Sequence, residues 1–352
     1  MPRQTMTHDI DLTLAAKVEF LSRAEVYPHG PAGVEPRETH MSWVFLAGDR
    51  VYKLKKPVRF PYLDFSTLAR REAACRAELR LNRRLAPDVY LDVVPLTGSA
   101  GGLSLGGAGE PADWLVLMRR LDERSMLDHA ISENGVEAWQ LDRLIATLTR
   151  FYRHARPVYL SPAVRLADWQ RSLAYNRRVL LDPRLNMPSG LVGRIDAVQR
   201  RFLARRAHLL AARVRERRLV DGHGDLRPEH ICLGDPVRII DCIEFNPRLR
   251  AIDPLDEIAF LSVECERLGA GWAGDYIGRR MKRMLQDGAS EELFLFYRSH
   301  RATLRARLAV AHLLEPNPRT PEKWPRQART YLALAAADAV KLQRGLRKPG
   351  DR

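Results

Sequence analysis

Residues 219–246 constrain this chain more than any other segment, because they interrupt an otherwise continuous series of helical patterns. Within them the three- and four-residue spacing of apolar side chains stops. The sequence becomes loop, short strand, loop, strand, with charged residues crowded into the turns. Loops held on a rigid scaffold are where chemistry is usually placed, so this interruption is the first candidate for a site. It reads His223-Gly224-Asp225-Leu226-Arg227-Pro228-Glu229-His230-Ile231, then Val237-Arg238-Ile239-Ile240-Asp241 at the end of an apolar run. Phosphoryl transfer needs an acceptor hydroxyl held in line, metal ions on the phosphates, and a carboxylate that orients or deprotonates the hydroxyl. Two carboxylates with different tasks are therefore expected, one in a loop and one at a strand end. Asp225 and Asp241, sixteen positions apart, have that relation.

The flanking sequence predicts an α+β chain. Residues 41–46 and 51–56 are β-prone runs on either side of Ala47-Gly48-Asp49-Arg50, which has hairpin chemistry. Residues 67–85 carry helical spacing through Cys75, Leu79, Leu81 and Leu85, and 89–95 and 114–118 read as further strands. The Gly-rich stretch 97–109 reads as a hairpin tip with a short strand at Leu103-Ser104-Leu105. It lacks the closing Lys-Ser/Thr of a phosphate loop. Beyond Met126 helical spacing dominates, over 136–155, 166–181, 191–209, 255–268, 293–314 and 326–344. At 352 residues the length favours two lobes, a small β-rich one with one helix and a larger, mainly helical one.

Composition removes several function classes. The apolar stretches are broken by Arg, Lys or Asp before a membrane span is reached, and residues 1–11 lack the apolar run of a signal peptide. A cytoplasmic protein with no membrane partner is expected. Four cysteines stand far apart without a C-x-x-C pair, which argues against a zinc knuckle or a disulfide framework. The net charge of +15 comes mainly from arginine. Arg200, Arg201, Arg205, Arg206 and Arg213 lie along a helix without interleaved stacking aromatics, and read as a solvated face in preference to a nucleic-acid groove. Oligomeric state leaves no readable mark.

The central segment resembles the aminoglycoside phosphotransferase family, whose members share the protein-kinase-like bilobal fold and carry a His-Gly-Asp loop followed by a strand ending in Asp. Asp253-Pro254-Leu255-Asp256-Glu257-Ile258-Ala259 resembles the family's Asp-Pro-x-x-Asp-Leu-Ala segment, in which Asp253 and Asp256 read as braces of the site. Glu38-Thr39-His40-Met41-Ser42-Trp43, Tyr52-Lys53-Leu54-Lys55-Lys56-Pro57 and Leu81-Asn82-Arg83-Arg84-Leu85-Ala86-Pro87 look like a poorly characterised bacterial branch. That branch is sometimes fused to a P-loop kinase-like domain, and since no G-x-x-x-x-G-K-[ST] occurs here, that domain is expected to be missing. The resemblance covers roughly residues 38–300.

What the resemblance implies is an ATP-dependent transfer of the γ-phosphate to a hydroxyl of an unidentified small molecule. Asp225 would be the base, His223 would order its loop, and Asp241 would be the principal Mg²⁺ ligand. Lys53 would contact the α- and β-phosphates, with Lys55 on the same face as its rival; Glu78 would pair with that lysine, with Glu72 as rival. Thr39 and Ser42 stand where a Gly-rich loop is lacking, and residues 116–121, including Met118 and Arg120, resemble the hinge that holds adenine. The implied division is 1–118 as nucleotide-binding lobe, with 1–37 as a helical extension, and 119–352 as helical lobe with catalytic loop 221–234 and metal-binding segment 237–246.

The chain departs from the family pattern at His230, where Asn is usual five residues after the catalytic Asp. Magnesium prefers oxygen ligands, so His230 either weakens a second metal site and favours Mn²⁺, or bonds the loop backbone structurally. Glu244 is open between metal, substrate hydroxyl and plain surface. Arg301 and Arg305, with Arg298 and His300, share one helix face that either meets the acceptor or faces solvent. A nucleotide-binding pseudokinase, a protein kinase and a nucleotidyl transferase are the competing functions. The positive charge argues against a polycationic aminoglycoside as acceptor.

Overall fold

The computed structural model describes residues 13–99, 101–314 and 320–346. The chain divides into two compact units, Met1–Asp122 with Arg238–Pro247, and Glu123–Val237 with Arg248–Arg352.

In the first unit a short helix, α1 (Leu14–Leu21), precedes strands β1 (Val34–Glu38), β2 (Ser42–Ala47) and β3 (Arg50–Lys55). A two-residue ribbon, β4 (Arg59–Phe60) with β5 (Leu63–Asp64), leads into helix α2 (Leu68–Asn82). Strands β6 (Tyr90–Ser99), β7 (Gly102–Leu105) and β8 (Glu110–Arg119) complete an antiparallel six-stranded sheet of order β1-β2-β3-β8-β6-β7. The expected hairpin at Gly48 is present, and φ of +60° there explains the glycine. The helical extension expected over 1–37 is only partly helical. Its first twelve residues lie outside the described ones, and Val34–Glu38 is an edge strand paired with β2.

Strand alternation gives the sheet two cores. On one face Val51, Val116, Met118, Tyr90 and Val93 pack with Cys75 of α2; on the other Phe45, Tyr52, Leu54, Leu96 and Leu115 pack with Leu21 of α1 and with Tyr27. Asp113, buried near the start of β8, ties the two layers together. It accepts from Lys17 of α1 at 2.8 Å and from Arg71 of α2 at 2.7 Å.

Residues 238–247, assigned from sequence to the helical part, belong to this first unit for a plain reason. Arg238 pairs with Asp88, Ile240 joins the α2-side core, the Asp241 N–H donates to the Tyr90 hydroxyl at 3.0 Å, and the Cys242 N–H donates to Asn82 Oδ1 at 2.8 Å.

The second unit is helical: α3 (Leu127–Ser132), α4 (Ala138–His154), α5 (Pro162–Leu180), α6 (Ser189–Arg215), then, after α7 (Pro247–Arg250), α8 (Pro254–Arg267), α9 (Gly271–Met284), α10 (Glu291–Ala311) and α11 (Lys323–Gly345). Helix α9 was not legible in the sequence because glycines occupy its packing face. A Cβ at Gly274 would stand 2.8 Å from the Ser262 carbonyl of α8, and one at Gly278 would stand 3.1 Å from Phe294. The arginines also differ from expectation. Arg213 is buried between Asp253 and Asp287, and Arg298 between Asp338 and Glu266, so part of the positive charge is spent inside the helical unit.

His300 of α10 is buried against the Trp169 ring, with Nε2 bonded to Ser172 Oγ at 2.8 Å and Nδ1 without a partner among the described residues. Burial pushes its pKa down to about 3. The unfolded chain binds a proton near pH 6.5 and the folded chain does not, so the His300 contribution is complete above pH 6.5. It is lost as the pH falls from there towards 3. Between pH 7 and pH 5 the wild type should lose about 2 kcal/mol more unfolding free energy than His300→Gln, at about 1.4 kcal/mol per pH unit below 6.5. Urea unfolding of both proteins at the two pH values checks this; Asp338, which burial raises to about 6, titrates in both and drops out of the difference. Equal losses would show that His300 is not held neutral.

Candidate functional site

In the first unit the site begins with β3. Alternation puts Val51, Lys53 and Lys55 on the face that α2 covers, and one turn of α2 brings Glu78 there beside Cys75. Glu78 is fully buried and splits its carboxylate between the two lysines, Oε1 accepting from Lys53 Nζ at 2.8 Å and Oε2 from Lys55 Nζ at 2.6 Å. Lys53 donates on to Asp241 Oδ1 at 2.8 Å, and Lys55 to Glu244. Glu72 lies elsewhere on α2 and pairs with Arg76 at 2.8 Å. The two lysines differ in access: the Lys53 side chain is 17% exposed and the Lys55 side chain 1%.

The electrostatics follow from two cations and three carboxylates in little water. Burial alone would lower the Lys53 pKa, but Asp241, Glu78 and Glu244 outweigh it and hold it well above the ordinary lysine value. Burial likewise pushes Glu78 up, and the lysine charges overcome it and leave the carboxyl below its usual range. For Glu244 burial wins and raises the pKa. Glu244 also lines a concavity of about 850 Å³ with Phe60, Tyr62 and Phe245.

Asp241 sits at φ +63°, a region that L-residues adopt uncommonly, Asn, Asp and His more readily than the rest. The Tyr90 hydroxyl, the Asn82 amide oxygen and Lys53 are among the contacts that hold the chain there. Its half-exposed carboxylate is a hard oxygen donor of the kind magnesium prefers, but no cluster of three or more His, Cys, Asp or Glu side chains that could hold a metal ion lies among the described residues.

Thr39 and Ser42 close on each other. Thr39 donates through N–H and Oγ1 to the Ser42 carbonyl, and the Ser42 N–H returns to Thr39 Oγ1 at 3.0 Å. The pair forms a tight turn before β2. At the end of β8, Met118 is part of the core, the Arg119 N–H donates to the Val89 carbonyl at 2.8 Å, and the Arg120 N–H donates to the Asp49 carbonyl at 2.9 Å. Those two amides are therefore spent within the unit, and a base held at this strand end would have to use other groups.

In the second unit the pair Val220–Asp221 and Ala251–Ile252 carries the His-Gly-Asp loop to the start of α8. Gly222 has to be glycine, since a Cβ would stand 2.5 Å from Ile252 Cγ2, and Gly224 adopts φ +90°. His223 is buried, and its Nδ1 accepts from the Asp225 N–H at 3.3 Å. Asp225 leaves the loop with its side chain 27% exposed. Its Oδ2 accepts from Arg227 Nε at 3.0 Å and its carbonyl faces His230 Nδ1 at 2.9 Å. The other ring nitrogen of His230 accepts from Arg227 Nη2 at 3.0 Å.

Two residues were not foreseen as part of this site. Glu257, buried in the first turn of α8, accepts from the His223 N–H at 3.1 Å, from the Gly224 N–H and from the Tyr152 hydroxyl at 2.8 Å. Burial raises its pKa. It stood in plain view in the Asp253–Ala259 segment, but a lone Glu in a helix carries no sequence signal of this task. Arg227 is the other, and only its position two after Asp225 could have marked it. The braces Asp253 and Asp256 are both buried. Asp253 binds Arg213 and Tyr297, and Asp256 binds Arg301 at 2.7 and 2.8 Å. Arg305 binds Glu264 at 3.1 Å. Arg301 and Arg305 are thus built into ion pairs and do not form the solvated face that was one of their two expected settings.

Comparison with known proteins gives the architecture a context. No family model matches the chain. Uncharacterized proteins of Mycobacterium tuberculosis and Mycobacterium bovis are 33% identical over 312 residues, which cover 88% of this chain and 58% of each relative. The chain therefore spans little more than half the length of the curated relatives it matches. Among solved structures, a choline/ethanolamine kinase family protein from Mesorhizobium loti is similar with a TM-score of 0.53 at 16% identity, over 93% of this chain and 97% of that one. The GDP complex of aminoglycoside 2'-phosphotransferase-IIIa gives 0.52 at 13% identity, over 93% and 99%. Choline kinase from Cryptosporidium parvum gives 0.51 at 9% identity, over 89% and 90%. No helix among the described residues is long and apolar enough to cross a membrane. These likenesses run along nearly the whole chain, over the six-stranded sheet with α2 on one face and over the helical remainder: the chain has the α+β, protein-kinase-like fold of choline/ethanolamine kinases and aminoglycoside phosphotransferases.

Proposed function

We propose that this protein is an ATP-dependent phosphotransferase of the aminoglycoside-phosphotransferase-like group, moving the γ-phosphoryl group to a hydroxyl of a small molecule in the cytoplasm. The observation that carries the reading is Lys53, bound at 2.8 Å by both Glu78 and Asp241. A strand lysine oriented by a helix glutamate is what a kinase uses to neutralise the α- and β-phosphates. Support also comes from solved structures of the same fold that hold nucleotides. One is a GDP complex, and another, a thermostable mutant of an aminoglycoside phosphotransferase at a TM-score of 0.50, is a ternary complex with AMP-PNP and hygromycin B.

In this reading residues 1–118 and 238–247 bind the nucleotide and the remaining, helical part carries the base. Lys53 holds the phosphates, while Lys55, almost without exposure, keeps Glu78 ionised and in position. Asp241 is the residue that would hold Mg²⁺, and the ion supplies neutralisation of phosphate charge when bound. Asp225 accepts the proton of the attacking hydroxyl at a carboxylate oxygen. His223 and Glu257 fix the backbone that aims it. Glu244 is the residue nearest to an acceptor role, through the concavity it shares with Phe60, Tyr62 and Phe245.

Incubation with a metabolite extract and ATP labelled at either the γ- or the α-phosphorus tests the reading. Label from the γ-position should reach a small molecule. Transfer of the α-label would mean a nucleotidyl transferase, and binding without transfer of either would mean a regulatory module.

A further inference from the structure

The catalytic loop replaces a metal-binding amide by a network of its own. Arg227 makes three directed contacts: Nε to Asp225 Oδ2 at 3.0 Å, Nη1 to Glu229 Oε1 at 2.7 Å, and Nη2 to His230 Nε2 at 3.0 Å. A guanidinium only donates, so Nε2 of His230 must accept; the ring proton is then on Nδ1, which donates to the Asp225 carbonyl at 2.9 Å. Both ring nitrogens of His230 are engaged and neither offers a lone pair to a cation. Position 230 therefore does not fit a second magnesium ion. Imidazole is also the wrong donor for one.

The charge that such an ion brings is nonetheless present. The Arg227 side chain is 18% exposed, and its guanidinium lies beside the carboxylate that the reaction uses. Glu229 holds it from the far side, its carboxyl kept below the usual range because Arg227 overcomes the upward push of burial. A planar guanidinium fixed at all three nitrogens is pre-organised in a way that a lysine ammonium is not. We propose that Arg227 is a positioning residue that takes the place of the second divalent cation at Asp225, so that the loop itself binds no metal and the enzyme works with one ion per nucleotide. This rests on the phosphotransferase reading.

The test counts ions directly. Mn²⁺ is titrated into the full chain with AMP-PNP, free Mn²⁺ is read by electron paramagnetic resonance, and nucleotide occupancy is read in parallel by equilibrium dialysis. Wild type and His230→Asn, which keeps Arg227, should each bind one Mn²⁺ per bound nucleotide. The neutral triple variant Arg227→Gln/Glu229→Gln/His230→Asn removes the guanidinium without stranding the Glu229 charge, and should bind two. Its folding is checked by thermal melting, and Arg227→Gln/His230→Asn, with the same expected count, replaces it if it melts early. Two ions in the wild type, two in His230→Asn, or one in every protein would overturn the assignment to Arg227. If no AMP-PNP binds at all, the phosphotransferase reading fails and this one with it, an outcome that the dialysis arm separates from the others.

Discussion

On the proposed phosphotransferase reading, Asp225→Asn will lower γ-phosphoryl transfer by about 10²- to 10⁴-fold, the range for losing a positioned general base, while nucleotide affinity stays at the wild-type level. Asparagine is the informative substitution. It keeps the size of the side chain and one oxygen to accept from Arg227 Nε, so the loop retains its shape while the proton acceptor is gone. The backbone of the loop is held independently, through Glu257 on the His223 and Gly224 amides and through His223 on the Asp225 amide. Single-turnover kinetics with labelled ATP separates the chemical step from binding. A drop of less than about tenfold would mean that Asp225 only orients the acceptor, below what base catalysis contributes.

The second large effect falls on stability. Glu78→Gln should cost about 3–5 kcal/mol, the usual penalty for removing one partner of a buried ion pair. Its carboxylate has no exposure and serves two lysines, of which Lys55 is almost fully enclosed. With a neutral amide there, Lys53 and Lys55 face each other across a site that only Asp241 and Glu244 still balance. Urea unfolding measures the loss. Glu78→Gln/Lys55→Met should regain part of it, since the enclosed cation is then gone as well. A cost under about 1 kcal/mol, typical of a surface pair, would mean that water reaches the network and screens it.

What could be read in the sequence and what could not divides along a physical line. Strands β2 and β3, their hairpin, α2 and most of the long helices follow from apolar periodicity and turn chemistry, which are local. That Asp225 and Asp241 stand outside the helices, next to short strands, follows from the residue types around them. The choice between Glu78 and Glu72 could not be made, because it depends on which side of α2 meets the sheet, and a helix as polar as this one hides that side. Helix α9 was missed because its contact with α8 is made through Gly274, where a side chain would collide. Arg301 and Arg305 were ambiguous because sequence shows a basic stripe but not the acids, Asp256 and Glu264 of α8, that face it. His230 stood out as a departure from the family pattern, but Arg227 looked ordinary, and their mutual hydrogen bond shows that the two residues form one device.

Glu257 has a consequence for how this motif comes into being. The two amides it gathers belong to His223 and Gly224, and the first lies 34 positions earlier in the chain. A nascent polypeptide that has emerged through Asp225 but not yet through Glu257 carries the letters of the loop without its form. The same distance separates them in evolution. A lineage could keep every residue from His223 to His230 and still go silent through a single change at the head of the next long helix.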